Sequence, residues 1–308
     1  MPKYSVARSI HIDSDPNSVF DKVSDFSTWT TWSPWLCAEP DAKVTVSENS
    51  NSVGSSYAWE GEITGSGELE HLRLEPGRFI EDEIRFLKPW KSISKVGFQF
   101  EPAQNGTKVT WTMDGSLPWF MFWMLPMMEP FIGMDYDRGL AMMKEWIETG
   151  KIRSETQNKG VVKVGPLRMA GVHRTCEFKK IPENMAVDYE KCTALFEKNG
   201  LPTDKGMMAV YHRFNIKKQI MEYTCGYMVD GPVDLPELNE WEIGTAQALR
   251  VDHIGSYDHL GNGWSAANQI VRYKKLKQSK AGTFEIYRNT PADTPPEELV
   301  TEIYLPLK

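Results

Sequence analysis

Gly282-Thr-Phe-Glu-Ile-Tyr-Arg-Asn-Thr-Pro291 is the stretch around which the second half of this chain is organised. It starts at a glycine, runs through β-branched and aromatic residues and stops at a proline, which is the composition of a strand. Alternation puts Phe284, Ile286 and Arg288 on one face, and Thr283, Glu285 and Tyr287 on the other. If the Phe284/Ile286 face packs on helices, Glu285 and Tyr287 point into whatever lies opposite. An earlier stretch has the same shape: Gly206-Met-Met-Ala-Val-Tyr211 lies over Gly282–Tyr287, aligning Tyr211 with Tyr287 and Ala209 with Glu285.

The correspondence extends outward. Residues 161–230 and 243–308 follow one plan of strand, helix, strand, strand. Residues 161–173 match 243–253, the helix at 183–198 matches the one at 257–278, and 221–229 match 301–307. Two copies of a four-element unit predict a pseudo-twofold domain with its sheets edge to edge, helices on one side and a cleft on the other. A requirement of the fold shared by both copies would not ask for a charge where the sister copy has Ala209. The strand by itself also fits Glu285 as a solvated charge on a half-buried strand; the asymmetry with Ala209 points instead to a functional residue.

Ahead of this domain the chain reads differently. Residues 4–12 alternate as a strand, Asp15-Pro16 is a helix start, and Trp29-Thr-Thr-Trp-Ser-Pro-Trp35 is turn-rich. From there to Asp114 strand follows strand: 43–47, 55–60, 67–75, 78–87, 96–101 and 107–113, with Asn105-Gly106 as a hairpin signal. A helix over 131–149 closes the half. Residues 150–160 are polar and glycine-bounded, which predicts domains at 1–152 and 161–308 with 153–160 as linker. The fold class is α+β in two domains.

Composition narrows the function. At 308 residues, 41% hydrophobic and 25% charged, the chain has room for two cores. A net charge of −7 argues against a general nucleic-acid surface, and the basic run Arg272–Lys280 falls where a helix ends and cations complement its dipole. Cys37, Cys176, Cys192 and Cys225 are scattered without metal spacing; they are expected to be reduced and mostly buried, and no metal or cofactor is expected. No secretory leader pattern is seen at the start, so the cytoplasm is the expected location. The apolar run Pro118–Met128 is about half the length of a spanning helix and carries a proline, so no membrane span is expected.

The first half resembles the START-like helix-grip (SRPBCC, polyketide cyclase/dehydrase-like) proteins. The resemblance rests on Arg8-Ser-Ile-His-Ile12, Asp15-Pro16 with Val19-Phe20, the Trp29–Trp35 segment, and Gly139-Leu140 with Lys144. It implies a sheet wrapped on a long helix and a hydrophobic small molecule in the cavity between them, and it fixes no catalytic residue. Trp59, Trp111, Trp119 and Trp123 are then candidates to line or lid that cavity, or to be core.

The second half resembles the GyrI-like effector-binding domains of multidrug-responsive and AraC-type regulators. The matching residues are Pro166-Leu-Arg-Met-Ala-Gly-Val172, His253-Ile-Gly-Ser-Tyr-Asp-His-Leu260 with Trp264, Phe284–Tyr287 with Pro291, and Thr301-Glu-Ile-Tyr-Leu-Pro306. The resemblance implies that Glu285 lies in a central cleft and meets a cationic aromatic ligand, with Tyr287 beside it and Trp264 on the border. Tyr211, Tyr257 and His253 complete the candidate set. Such regulators carry a helix-turn-helix segment ahead of the ligand module; here a β-rich half takes that place, so direct nucleic-acid binding is not expected. A carboxylate among aromatic faces suits a desolvated cation, and its raised pKa would equally suit a general acid or base. Three functions are open: a small-molecule binding protein, a hydrolase of a reactive hydrophobic natural product with Glu285 as acid/base, and a ligand-responsive regulator acting through a protein partner. The internal pseudo-symmetry is compatible with a monomer.

Overall fold

The computed structural model describes residues 2–308, in two compact units, 1–153 and 154–308. The first unit runs β1 (Lys3–Ile12), α1 (Pro16–Val23), α2 (Trp29–Trp32), β2 (Lys43–Val46), β3 (Ser56–Glu60), β4 (Ser66–Glu75), β5 (Phe79–Lys88), β6 (Ser92–Ala103), β7 (Gly106–Ser116) and α3 (Leu125–Thr149). Its seven strands form one curled antiparallel sheet in the order β1-β7-β6-β5-β4-β3-β2, and α3 packs against β1. Asp15 caps α1 as its sequence position requires, accepting the N–H groups of Asn17 and Ser18, with Pro16 in the first turn.

Two local differences have physical causes. The closing helix begins at Leu125 rather than 131, after a 3-10 helical turn over Trp119–Met124. Pro126 sits in its first turn, where a missing N–H costs nothing. At the β6–β7 hairpin the turn residues are Gln104 and Asn105, with Asn105 at φ 63°, and Gly106 already belongs to β7. Gly106 is needed for another reason: a Cβ there would lie 2.2 Å from the Ile12 carbonyl oxygen. Among the described residues no helix is long and apolar enough to cross a membrane.

The second unit runs β8 (Glu155–Val164), β9 (Leu167–Glu177), α4 (Ile181–Lys198), β10 (Met207–Asn215), β11 (Ile220–Met228), β12 (Asn239–Ile243), β13 (Ala246–Ile254), α5 (Leu260–Tyr273), β14 (Thr283–Tyr287) and β15 (Val300–Pro306). Its eight strands form a single sheet ordered β12-β9-β11-β10-β14-β15-β13-β8. The order is its own mirror image about the central β10–β14 pair, so the repeat is real and its pseudo-twofold axis passes where Ala209 stands opposite Glu285.

The repeat differs from its sequence reading in four ways. Residues 161–173 are not one strand: β8 and β9 meet at Gly165-Pro166, and β12 and β13 repeat the arrangement. The first strand of each copy is then exchanged, β8 pairing with β13 and β12 with β9, so the copies share edges rather than merely abutting. Residues 155–160, expected as linker, belong to β8 and pair with β13 from Ile254 to Arg250. An edge strand with polar side chains on both faces has no apolar alternation to betray it. Finally, the helices lie on the same face as Glu285, not opposite it: Trp264 of α5 reaches Glu285, and Tyr189 of α4 reaches Tyr287. Phe284 and Ile286 instead pack with Val164, Met169, Ile243 and Tyr304 in a core on the other face.

Cys192 and Cys225 are buried, Cys37 and Cys176 half-buried, and all four are free thiols.

Candidate functional site

Helix α4 packs on β9 and β11, and α5 on β13 and β15, so the central β10–β14 pair lies in the gap between them. Glu285 is at the middle of that gap and fully buried. Its Oε2 accepts the hydroxyls of Tyr211 (3.1 Å) and Tyr287 (2.5 Å), and its Oε1 accepts the indole N–H of Trp264. Each repeat thus supplies its equivalent tyrosine to one carboxylate near the pseudo-twofold axis. Aromatic edges close the arrangement: Trp264 meets Tyr211 at 5.1 Å, Tyr257 meets Tyr287 at 5.7 Å, and Tyr189 meets Tyr287 at 6.1 Å. Tyr257 is the exposed member, at 37%, and forms the rim.

The electrostatics are those of a charge without a counter-charge. All three donors to Glu285 are neutral. Burial pushes the Glu285 carboxyl above the ordinary carboxylate range, against the pull of the hydrogen bonds from Tyr287, Trp264 and Tyr211. Burial raises the phenols of Tyr211 and Tyr287 as well, and the nearby carboxylate adds to it. Tyr257 is pushed up to about 12, first by burial and then by Glu285.

Four of the six residues singled out by sequence, Glu285, Tyr287, Tyr211 and Trp264, therefore form one hydrogen-bonded cluster, and Tyr257 borders it. His253 does not touch Glu285. It stands in the row Tyr287, Thr301, His253 across β14, β15 and β13, and its Nε2 donates to the Ser256 carbonyl at 2.9 Å. Burial pushes its pKa down to about 4, so the ring is neutral and its Nδ1 a lone-pair acceptor with no hydrogen-bond partner. Thr301 Oγ1 beside it is also buried and unpartnered.

Sequence reasoning passed over two groups. Tyr189, whose hydroxyl donates to the Met208 carbonyl at 2.9 Å, and Met185, whose sulfur lies 3.9 Å from the Tyr211 hydroxyl oxygen, complete the wall on the α4 side. The repeat carried the signal, since α5 had already offered Trp264 to the same cleft. The second group is Asp188 on α4, fully buried, which holds Arg174 through both carboxylate oxygens and accepts the Tyr223 hydroxyl at 2.9 Å.

In the first unit the four candidate tryptophans have unlike places. Trp111 is core: it stacks on Tyr136 of α3 at 3.9 Å and on Phe98 at 4.9 Å, and a Cβ at Gly139 would lie 2.8 Å from its ring, so α3 approaches closely only through a glycine. The indole N–H groups of Trp111 and Trp32 and the Tyr136 hydroxyl are buried without hydrogen-bond partners. Trp59 is half-buried against Phe86. Trp119 and Trp123 are exposed, at 76% and 62%, beside exposed Phe120 and Phe122.

Residues 160–308 match the GyrI-like small molecule binding domain, and residues 3–148 match the polyketide cyclase / dehydrase and lipid transport family. Among solved structures, the Aha1 dimer from Colwellia psychrerythraea is 17% identical, covering 48% of this chain and 99% of that one at a TM-score of 0.37. Protein CV1439 from Chromobacterium violaceum is 15% identical over 47% of this chain and 96% of that one, at 0.37. The chain from an EcmrR–DNA complex is 15% identical over 58% of this chain and 66% of that one, at 0.42. No curated protein matches the chain. The C-terminal half is a GyrI-like domain and the N-terminal half a polyketide cyclase-like domain.

Proposed function

We propose that this chain, with a polyketide cyclase-like domain before a GyrI-like one, is a small-molecule binding protein whose C-terminal cleft holds a cationic aromatic ligand on Glu285. The observation that carries the reading is a fully buried carboxylate given three neutral donors and no cation. Burying such a charge is costly unless a partner arrives. An aromatic cation supplies the missing charge, and the faces of Trp264, Tyr257 and Tyr211 add contacts worth about 0.5–2 kcal/mol each. Because Glu285 is closed over in this state, the ligand enters by turning the exposed Tyr257 and the half-buried Trp264 out of its path.

In the N-terminal domain the same proposal assigns a hydrophobic ligand. The exposed Trp119 and Trp123 supply apolar surface, and the unpartnered Trp32, Trp111 and Tyr136 donors would serve a hydrogen-bond acceptor on it.

The cleft reading is tested by titrating the full chain with N-methylquinolinium and its neutral isostere 1-methylnaphthalene, following tryptophan fluorescence. Saturable binding of the cation, weakened at least tenfold in Glu285→Gln, is expected, with the isostere weaker in wild type. Undiminished binding to the variant sinks the role of Glu285. One observation favours a second reading: a carboxyl with a raised pKa beside two phenols is also equipped to move a proton. Turnover of a bound natural-product-like compound, lost in Glu285→Gln while binding persists, would convert the binding protein into a hydrolase.

A further inference from the structure

We propose that the sheet face opposite Glu285 carries a second ligand site, for a small oxyanion, built on His173, His212 and Lys280. A cavity of about 400 Å³ lies there. Tyr223 faces the helices, so its neighbour Thr224 points the other way, and His173 stands directly across from Thr224 on β9. Strand β10 bulges between Tyr211 and Arg213, which aims His212 at the same threonine. His212 Nε2 is 2.8 Å and His173 Nδ1 3.1 Å from Thr224 Oγ1.

One hydroxyl proton cannot serve two imidazoles, so Thr224 donates to one ring and accepts from the other. His173 Nε2 lies 3.5 Å from Glu222 Oε1, which favours a proton on that nitrogen and leaves Nδ1 to accept from Thr224. His212 then donates from Nε2, and its Nδ1 is a lone pair until a proton is added. The acids of the cavity are already engaged: Glu222 with His173 and Arg213, and Glu240 with Arg168 and the Val233 N–H.

What remains uncommitted is a set of donors. Among the described residues the Lys280 amine makes no ion pair and the Asn239 amide no hydrogen bond, while the outer nitrogens of Arg213 are free; Trp241 forms a wall, its own N–H given to the Ala281 carbonyl at 2.7 Å. Uncommitted donors around a cavity select oxygen-rich anions. They disfavour a cation, and no three His, Cys, Asp or Glu side chains among the described residues are placed to hold a metal. Burial, then His173, holds the His212 imidazole below its ordinary range. Occupancy should therefore grow as pH falls and His212 gains a proton among His173, Glu222, Glu240, Arg213 and Lys280.

The test is a titration of the full chain, ¹⁵N-labelled at histidine, with sulfate and separately with acetate, anions whose charge is constant between pH 6 and pH 8. Saturable shifts of the His212 ring are expected, with affinity at least fivefold higher at pH 6. The anion that saturates at lower concentration identifies the ligand as tetrahedral or planar. Lys280→Ala, an exposed change that leaves the core untouched, should weaken binding at least fivefold, while Lys163→Ala on β8 should not. His212→Asn should bind equally at both pH values. Shifts that stay linear with both anions, or unaltered affinity in Lys280→Ala, would overturn the site. Neither result bears on Glu285, whose N-methylquinolinium titration is read separately.

Discussion

Each copy of the C-terminal repeat has one fully buried carboxylate, and the two copies treat it in opposite ways. In the first, Asp188 is satisfied from within the copy: Arg174 grips both its oxygens and Tyr223 adds a hydroxyl. The register places Thr301 where the first copy has Tyr223, and His253 where it has Arg174. There the second copy has no carboxylate and no cation, only a neutral imidazole and a hydroxyl with unpartnered atoms. Its own fully buried carboxylate, Glu285, stands at the axis with neutral donors alone, whereas the nearly buried Asp252 and Glu302 are paired with Arg250 and Arg288. A buried acid with a built-in cation belongs to the fold, whereas one without is set up for something that arrives from outside.

The difference can be attacked from its structural side first. Asp188→Ala strands the Tyr223 hydroxyl and leaves Arg174 unpaired at its inner end. It should cost about 2–4 kcal/mol in chemical denaturation, and a loss within error would mean that the ion pair holds nothing together. His253 comes next. Its imidazole stays neutral in the fold, with a pKa of about 4, whereas the unfolded chain takes up a proton nearer 6.5. The unfolded state thus binds more protons across that window, so wild type should lose stability as pH falls from about 6.5 towards 4, by up to roughly 3 kcal/mol. His253→Gln should show a flatter profile, and parallel profiles would remove His253 from the account.

Glu285→Gln tests the other carboxylate with the opposite sign. The folded carboxyl prefers its proton more than the unfolded one does. Its contribution is therefore fully present below the ordinary carboxylate range and lost as pH rises through the raised value. The variant should match wild type in acid and exceed it by about 1–2 kcal/mol at neutral pH. A variant that is less stable at neutral pH would show the donors around Glu285 to be compensation enough. The smallest effect is expected at the rim, where Tyr257→Ala should weaken aromatic-cation binding by about 1 kcal/mol and leave thermal stability nearly unchanged.

The parts of this picture that sequence revealed share a local signature. Tyr211 and Tyr287 fall at the same place in two short strands, so the repeat, the odd charge at Glu285 and the tyrosines flanking it were all visible in the sequence. Trp264 was visible through the family motif. The exchange of β8 and β12 between copies was not, because the choice of pairing partner leaves no trace in the periodicity of the strand itself. Residues 155–160 were hidden by being polar on both faces at a sheet edge. Asp188 and Arg174 were hidden because a helix and a strand bring them together from separate elements, and Asp188 alone reads as one more charge on a surface helix. The side of the sheet on which α4 and α5 lie was reversed for a similar reason: Phe284 and Ile286 are apolar enough for a helix, but the exchanged strands cover them.

The central claim is that Glu285 lacks a cation until a ligand brings one. The direct measurement is the ¹³C shift of the Glu285 side-chain carboxyl against pH, with and without saturating N-methylquinolinium. A midpoint above the ordinary carboxylate range that drops when the cation binds is the predicted result. A midpoint at or below that range in the free protein, or one the bound cation leaves in place, would contradict it.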